Sequence, residues 1–382
     1  MSGSELFDQL VSLFEHTHRV LQRRAARSVD TALVVRNWLF GYYVVEYENA
    51  GASRADLYGK ALIDRLSASL GQRGLKGTSP TNIRKFRAFY EAYPEIQQTP
   101  SVESPVHRRR DQIQQTLSVA SAPLSVASHP AIEAWTASLS VRFQLGWSHY
   151  VTLLTVADTD ARRFYEIEAV ANSWSVRELE RQIGSGLYER LALSRDKAEI
   201  KKLAEQGLVI EEAADIVKNP YVLEFLELEE RSAYSEHELE TAIIDKLEHF
   251  LLELGKGFLF EARQKRFTFD DDYFYIDLVF YNRLLRAYVL IDLKRGKLTH
   301  QDLGQMQMYV NYFDRHVNLA DENPTVGLLL CRSKKDAIVE LTLPKDANIH
   351  AREYQLYLPS KELLRQKLIE WTREAQTGEV TK

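Results

Sequence analysis

The chain has 382 residues, 45% hydrophobic and 27% charged, with 17 Gly, 10 Pro and a net charge of −5. That length is more than one comfortable domain and favours two or three. A single cysteine, Cys331, excludes an internal disulfide and any cysteine-rich metal site, and no apolar run approaches the ~18 residues that span a bilayer. Residues Met1–Asp8 are polar and lack the basic-then-apolar order of a signal peptide, so a cytoplasmic protein with no membrane partner is expected.

Residues 1–96 read as helices. Leu33, Val34, Trp38, Tyr42 and Val45 recur at three- and four-residue spacing, which predicts an amphipathic helix. Leu62, Leu66 and Leu70 mark a second helix within Leu57–Leu70. After the Gly-rich turn Gly71–Gly77, Ser79-Pro80 supplies a cap and a first-turn proline for a third. That helix carries Ile83, Phe86, Phe89 and Tyr90 on one side and Arg84, Lys85 and Arg87 on the others, and it ends before Pro94. A net-acidic chain that reads nucleic acid must concentrate positive charge locally. From Gly71 to Arg110 there are 8 Lys/Arg against 3 Asp/Glu, a local excess of 5 that includes the run Arg108-Arg109-Arg110. Helix, helix, Gly turn and basic helix is the order of a helix-turn-helix or winged-helix DNA reader. A small helical bundle with a basic surface satisfies the same residues.

Residues 97–130 are rich in Gln, Ser, Pro and Ala and read as a linker or insertion. A second helical unit, 131–230, is anchored by aromatics at Trp147-Ser148-His149-Tyr150, Phe164-Tyr165 and Trp174-Ser175-Val176. His149 reads as a packing or hydrogen-bonding histidine, and Leu193–Leu228 as a helical connection.

The next domain, 235–375, opens with a helix over Ser235–Leu254. From Phe258 the apolar period changes to alternation, rich in β-branched and aromatic residues. Ala262–Phe269, a turn at Asp270-Asp271-Asp272, Tyr273–Tyr281, a turn at Asn282–Leu285 and Arg286–Lys294 read as three strands in a meander. Asp277 and Asp292 each interrupt an apolar run. A buried carboxylate is costly unless paired or bound to a cation, and strands joined by a short turn bring these two together. Alternation puts Asp292 and Lys294 on one face. Asp277, Asp292 and the Leu293 carbonyl form an oxygen site for Mg²⁺ or Mn²⁺. Lys294 lies where it can orient a water and stabilise charge on a phosphate.

A third carboxylate is expected from the preceding helix. At about 100° per residue, Ile243, Ile244, Leu247, Leu251 and Leu254 fall within about 60° of Glu240. Glu240 is therefore the candidate, while Glu253, near the opposite face, is the fallback. A helix beginning near Thr299 puts Gln305 and Tyr309 one turn apart, a Q-x-x-x-Y pair able to support the site. Val326–Cys331 and Asn348–Leu356 read as further strands, with Cys331 in the core, and Lys361–Trp371 as a final helix.

Three segments carry a resemblance: Tyr275-Ile276-Asp277-Leu278-Val279-Phe280-Tyr281, Ile291-Asp292-Leu293-Lys294 and Gly304-Gln305-Met306-Gln307-Met308-Tyr309. They resemble the YhcG family of bacterial PD-(D/E)xK nuclease-domain proteins. Phe250–Phe258 and Gly327–Cys331 fit the same pattern, and Tyr58-Gly59-Lys60, Asn82-Ile83-Arg84 and Trp147–Tyr150 fit the helical domain fused to that nuclease. The resemblance implies an α/β restriction-endonuclease-like domain, a mixed sheet flanked by helices, preceded by mainly α-helical N-terminal domains. It implies a Mg²⁺- or Mn²⁺-dependent nuclease, acting on DNA before RNA, with Asp277, Asp292 and Lys294 as its signature. The first acidic residue of that triplet is often Glu in such proteins; here it is Asp292. Double-strand cutting is compatible with a homodimer. A DNA-binding protein with a vestigial nuclease fold and an RNA-directed nuclease are the alternatives.

Overall fold

Helices form in the first half of the chain where the sequence supplies caps and three- and four-residue apolar spacing. The computed structural model describes residues 7, 10–15, 17, 29–49, 59–93, 139–195, 197–228, 234–269, 271–344, 346–360, 363, 364, 366 and 368. The chain divides into two compact units, Met1–Arg162 with Ala169–Leu179 and Arg163–Glu168 with Glu180–Lys382. The 97–130 stretch with its arginine triplet lies outside the described residues, as does most of the final helix expected at Lys361–Trp371. Among the described residues no helix is long and apolar enough to cross a membrane.

In the first unit, α1 (Val29–Asn49), α2 (Gly59–Gln72), α3 (Pro80–Ala92) and α4 (Trp147–Leu153) carry the core. Helix α1 is not the amphipathic helix that the spacing predicts. It buries Val34, Val35, Trp38, Leu39, Phe40, Tyr43, Val44 and Tyr47, which lie nearly all round it. A helix apolar on every side occupies the centre of its unit. Leu62, Leu66 and Leu70 of α2 are buried as their spacing predicts. Ser79 caps α3 by accepting from Asn82 N at 3.3 Å, Pro80 fills the first turn, and Ile83, Phe86, Phe89 and Tyr90 are buried.

Helices α1 and α3 cross at Gly41, where a Cβ would stand 2.0 Å from the Phe86 carbonyl oxygen. Because the obstacle is backbone, Gly41→Ala is expected to push the helices apart and destabilise the unit by about 2–3 kcal/mol. Thermal melting of the variant checks this, and an unchanged midpoint would mean the crossing yields freely.

Four helices follow: α5 (Thr159–Ala171), α6 (Val176–Gly184), α7 (Leu187–Ala192) and α8 (Lys197–Gln206). His149 Nε2 lies 2.9 Å from the Trp174 carbonyl oxygen, the hydrogen-bonding role expected of it. The stretch Leu193–Leu228 is not simply helical. After α8 it holds two 3-10 turns, Ala213–Ile216 and Glu224–Leu226, and between them the strand β1 (Tyr221–Val222). Two residues are too short to show a period, so only the partner strand reveals this one.

The helix expected over Ser235–Leu254 is two helices, α9 (Glu236–Asp245) and α10 (Leu247–Leu254). Ser235 and Glu238 form a capping box at the start. Lys246 leaves the helical conformation at φ −116° and ψ 31°. The break resets the phase: α9 buries Leu239, Glu240 and Ile243, and α10 buries Phe250, Glu253 and Leu254.

Five further strands are β2 (Phe258–Phe269), β3 (Asp272–Asn282), β4 (Ala287–Lys297), β5 (Val326–Ser333) and β6 (Ile349–Gln355). The sheet runs β1-β6-β5-β4-β3-β2, antiparallel through β2, β3 and β4 and parallel from β4 to β1. The expected meander and mixed sheet are present. Helix α11 (His300–His316) follows β4, capped by the Thr299–Asp302 box. A short α12 (Asp336–Thr342), absent from the sequence reading, follows β5. Apolar clusters cover both faces, one formed with α9 and α10, the other with α11. Strand β4 lies between them and is buried from Val289 to Leu293, as a doubly covered strand must be.

Candidate active site

Two carboxylates meet where β3 and β4 part. Their ladder runs from Asn282↔Ala287 to Leu278↔Ile291 and stops one step short of an Asp277–Asp292 pairing. Asp277 Oδ2 instead accepts the Leu293 backbone N–H at 2.8 Å. Asp292 is 3% exposed. Burial and the facing Asp277 charge push its carboxyl up to about 7, against the pull of Lys294. Lys294 Nζ stands 2.7 Å from Asp292 Oδ2 and 3.9 Å from Asp302 Oδ1 in the first turn of α11. Burial works against the Lys294 ammonium, but Asp292 more than restores it and holds its pKa above the usual value.

The donor set fits a hard cation. Asp292 Oδ2 is buried and makes no well-directed hydrogen bond, despite the nearby ammonium. Among the described residues no group of three or more His, Cys, Asp and Glu is spaced to hold a metal ion. The site offers two carboxylates, a sparse set suited to Mg²⁺, which keeps several of its waters.

Glu240, on α9, is 2% exposed. Both its oxygens are engaged: Oε1 accepts from Arg263 Nε at 2.9 Å and Oε2 from Gln264 Nε2 at 2.7 Å. Gln264 Nε2 also donates to Asp277 Oδ1 at 3.0 Å, so the glutamine bridges the helix carboxylate to the strand carboxylate. Sequence reasoning missed Gln264 and Arg263, since a polar pair in a strand carries no periodic signal.

The backbone explains how Gln264 gets there. Leu278 packs in the α9–α10 cluster, whereas Ile276, two residues away on the same strand, packs with α11. Alternate residues of a flat strand share a face, so the β2–β3 ribbon turns over between them. Gln264 lies at that point, between Arg263 opposite Leu278 and Lys265 opposite Ile276. Its φ of 44° is in the left-handed region that residues other than glycine rarely adopt.

Gln305 and Tyr309 share a face of α11, and the Gln305 amide donates to the Tyr309 hydroxyl. That hydroxyl in turn donates to the Tyr275 carbonyl at 2.9 Å, tying α11 to the strand two residues before Asp277. Burial raises the Tyr309 pKa, the Gln305 hydrogen bond opposes it, and the Asp292 charge adds to the rise.

Glu253 lies elsewhere. The wheel places it toward the outer face, yet it is fully buried, in a bidentate pair with Arg190 of α7 at 2.5 and 3.3 Å. It also accepts from Val222 N of β1 at 2.9 Å. A wheel ranks faces by one helix alone; here a segment 63 residues earlier covers the far side. In the other unit, Arg84 pairs with Asp64 at 3.6 Å, and Arg87 with Glu48 at 3.0 Å and Glu91 at 3.2 Å. Lys85 is half-buried beside them on α3.

A mixed sheet between helices, with an acidic residue on one strand and Asp-x-Lys on its neighbour, defines the restriction-endonuclease-like class. Residues 214–369 match the YhcG PDDEXK nuclease domain, and residues 15–190 match the DUF1016 N-terminal domain. The chain is 39% identical over 352 residues to the protein named "Putative nuclease YhcG" of Escherichia coli (strain K12), covering 90% of this chain and 88% of that one. It belongs to the YhcG family of PDDEXK nuclease-domain proteins. No solved structure matches it.

Proposed function

We propose that this chain hydrolyses phosphodiester bonds of nucleic acid, DNA before RNA, with Mg²⁺ or Mn²⁺. The observation that carries the reading is the Asp277–Asp292 pair, with Asp292 buried and the Lys294 ammonium 2.7 Å from it. Two carboxylates forced together in a buried site favour a bound cation over any neutral occupant. Asp277, Asp292 and the Leu293 carbonyl would hold it, and when bound it polarises the scissile phosphate and acidifies a water. Lys294 orients that water and balances charge growing on the phosphate oxygens. Tyr309, fixed by Gln305, holds the strand ahead of Asp277 in place. Arg84, Lys85 and Arg87 on α3 supply cations for backbone phosphates, and two copies of the chain would cut both strands of a duplex.

The test is cleavage of plasmid and of RNA by purified protein with Mg²⁺ or Mn²⁺. Lys294→Ala is expected to slow cleavage about 100- to 1,000-fold. Failure of the wild type to cut either substrate would favour a nucleic-acid-binding protein with a vestigial site. Faster cutting of RNA would reassign the substrate.

A further inference from the structure

We infer that Gln264 is a positioning residue, acting on the cation through Asp277 and anchored by Glu240. The inference rests on the nuclease reading above and assigns its acidic helix residue a different task. Each Glu240 oxygen already accepts a hydrogen bond, from Arg263 Nε at 2.9 Å and from Gln264 Nε2 at 2.7 Å. Through the second of these it holds an amide. The nitrogen, not the oxygen, of the Gln264 carboxamide must face the site, because both partners are carboxylates and accept only. Its two hydrogens serve the two acids, one each, at 2.7 and 3.0 Å.

The consequence falls on Asp277. Its Oδ1 is held by Gln264 and its Oδ2 by the Leu293 N–H, so the plane of the carboxylate is fixed from both ends. The remaining lone pairs are aimed without any rotation of the side chain. The backbone at Gln264 meets a cost to do this, with φ at 44° where the ribbon turns over. Glycine suits that conformation better than any other residue, and asparagine tolerates it. A glutamine kept there at a conformational cost points to its amide rather than to its backbone.

The backbone preference separates a positioning role from a structural one. Gln264→Gly relieves the strain and removes the amide; Gln264→Asn keeps an amide one methylene too short to bridge both acids. Full-length wild type, both variants and Asp292→Asn are titrated with MgCl₂ and MnCl₂, and the melting temperature is followed without any substrate. Melting of metal-free Gln264→Gly is expected to stay close to wild type, the relieved strain offsetting the hydrogen bonds lost by Glu240 and Asp277, while its half-saturating metal concentration rises about 10- to 100-fold, as for loss of a group orienting a ligand. Gln264→Asn is expected to show the same rise. Half-saturation within twofold of wild type in both variants overturns the inference, as does a large loss of metal-free melting temperature with metal affinity unchanged. A wild type that shows no metal-dependent shift overturns the nuclease reading and this inference together, a pattern visible before any Gln264 variant is made.

Discussion

Asp292→Asn is expected to abolish cleavage while making the metal-free protein more stable at pH 8. The two effects have one cause. The folded carboxyl sits near 7, pushed up by burial and by Asp277, against 3.8 for the ordinary group. Below pH 3.8 the carboxyl is neutral in both states and adds no penalty. As pH rises through the window to about 7, the unfolded chain ionises freely and the folded one does not, so stability falls. Above that window the charge is carried in the fold at a cost of about 2–4 kcal/mol, taking 1.36 kcal/mol per unit as an upper scale. Asparagine removes the penalty and, with it, the cation site. Urea unfolding in EDTA should therefore show Asp292→Asn gaining on wild type at pH 8 and matching it near pH 4. Adding Mg²⁺ should stabilise the wild type alone. Equal stability at both pH values would mean that the carboxyl is not strained by its neighbour.

The largest expected loss of stability lies away from the acid pair, at Arg190. Its guanidinium is fully buried and fully used: by Glu253 twice, by the Ser185 carbonyl and hydroxyl at 3.0 Å, and by the Pro220 carbonyl at 3.0 Å. Lys218 donates to the Glu253 carbonyl, and burial pushes its ammonium down to about 8. Burial alone would raise the Glu253 carboxyl, but Arg190, Lys218 and Arg181 hold it below the usual range. Arg190→Met leaves that carboxylate buried without its main partner, at a cost of about 3–5 kcal/mol. The double variant Arg190→Met with Glu253→Met buries no stranded charge and should recover most of the loss. Equal destabilisation of single and double variants would show that packing, not charge, is at stake. A fragment beginning at Ser235 lacks both Arg190 and Lys218 and is expected not to fold. Circular dichroism of that fragment checks it.

Much of the site is legible in the chain. Asp277 and Asp292 stand out as acids inside apolar runs, the short turn at Asn282–Leu285 brings their strands together, and period-two alternation puts Lys294 beside Asp292. Each of these relations spans few residues, so local geometry suffices. The cap at Ser79 and the helix starts at Ser235 and near Thr299 are legible for the same reason. Gln264 is not: its place depends on a ribbon that turns over at φ 44°, and nothing in the order Ala262-Arg263-Gln264-Lys265 announces that turn.

By itself, the sequence determined the strands of the meander, the helix that follows them and the candidate acid–acid–lysine set, because alternation and turn length act within a few residues. Only the tertiary structure decided that Glu253 is a buried ion-pair partner, that Tyr221–Val222 completes the sheet, and that Glu240 is occupied by Arg263 and Gln264. Those outcomes depend on which distant segment covers a given face, and desolvation by that cover decides what each charged side chain must bind.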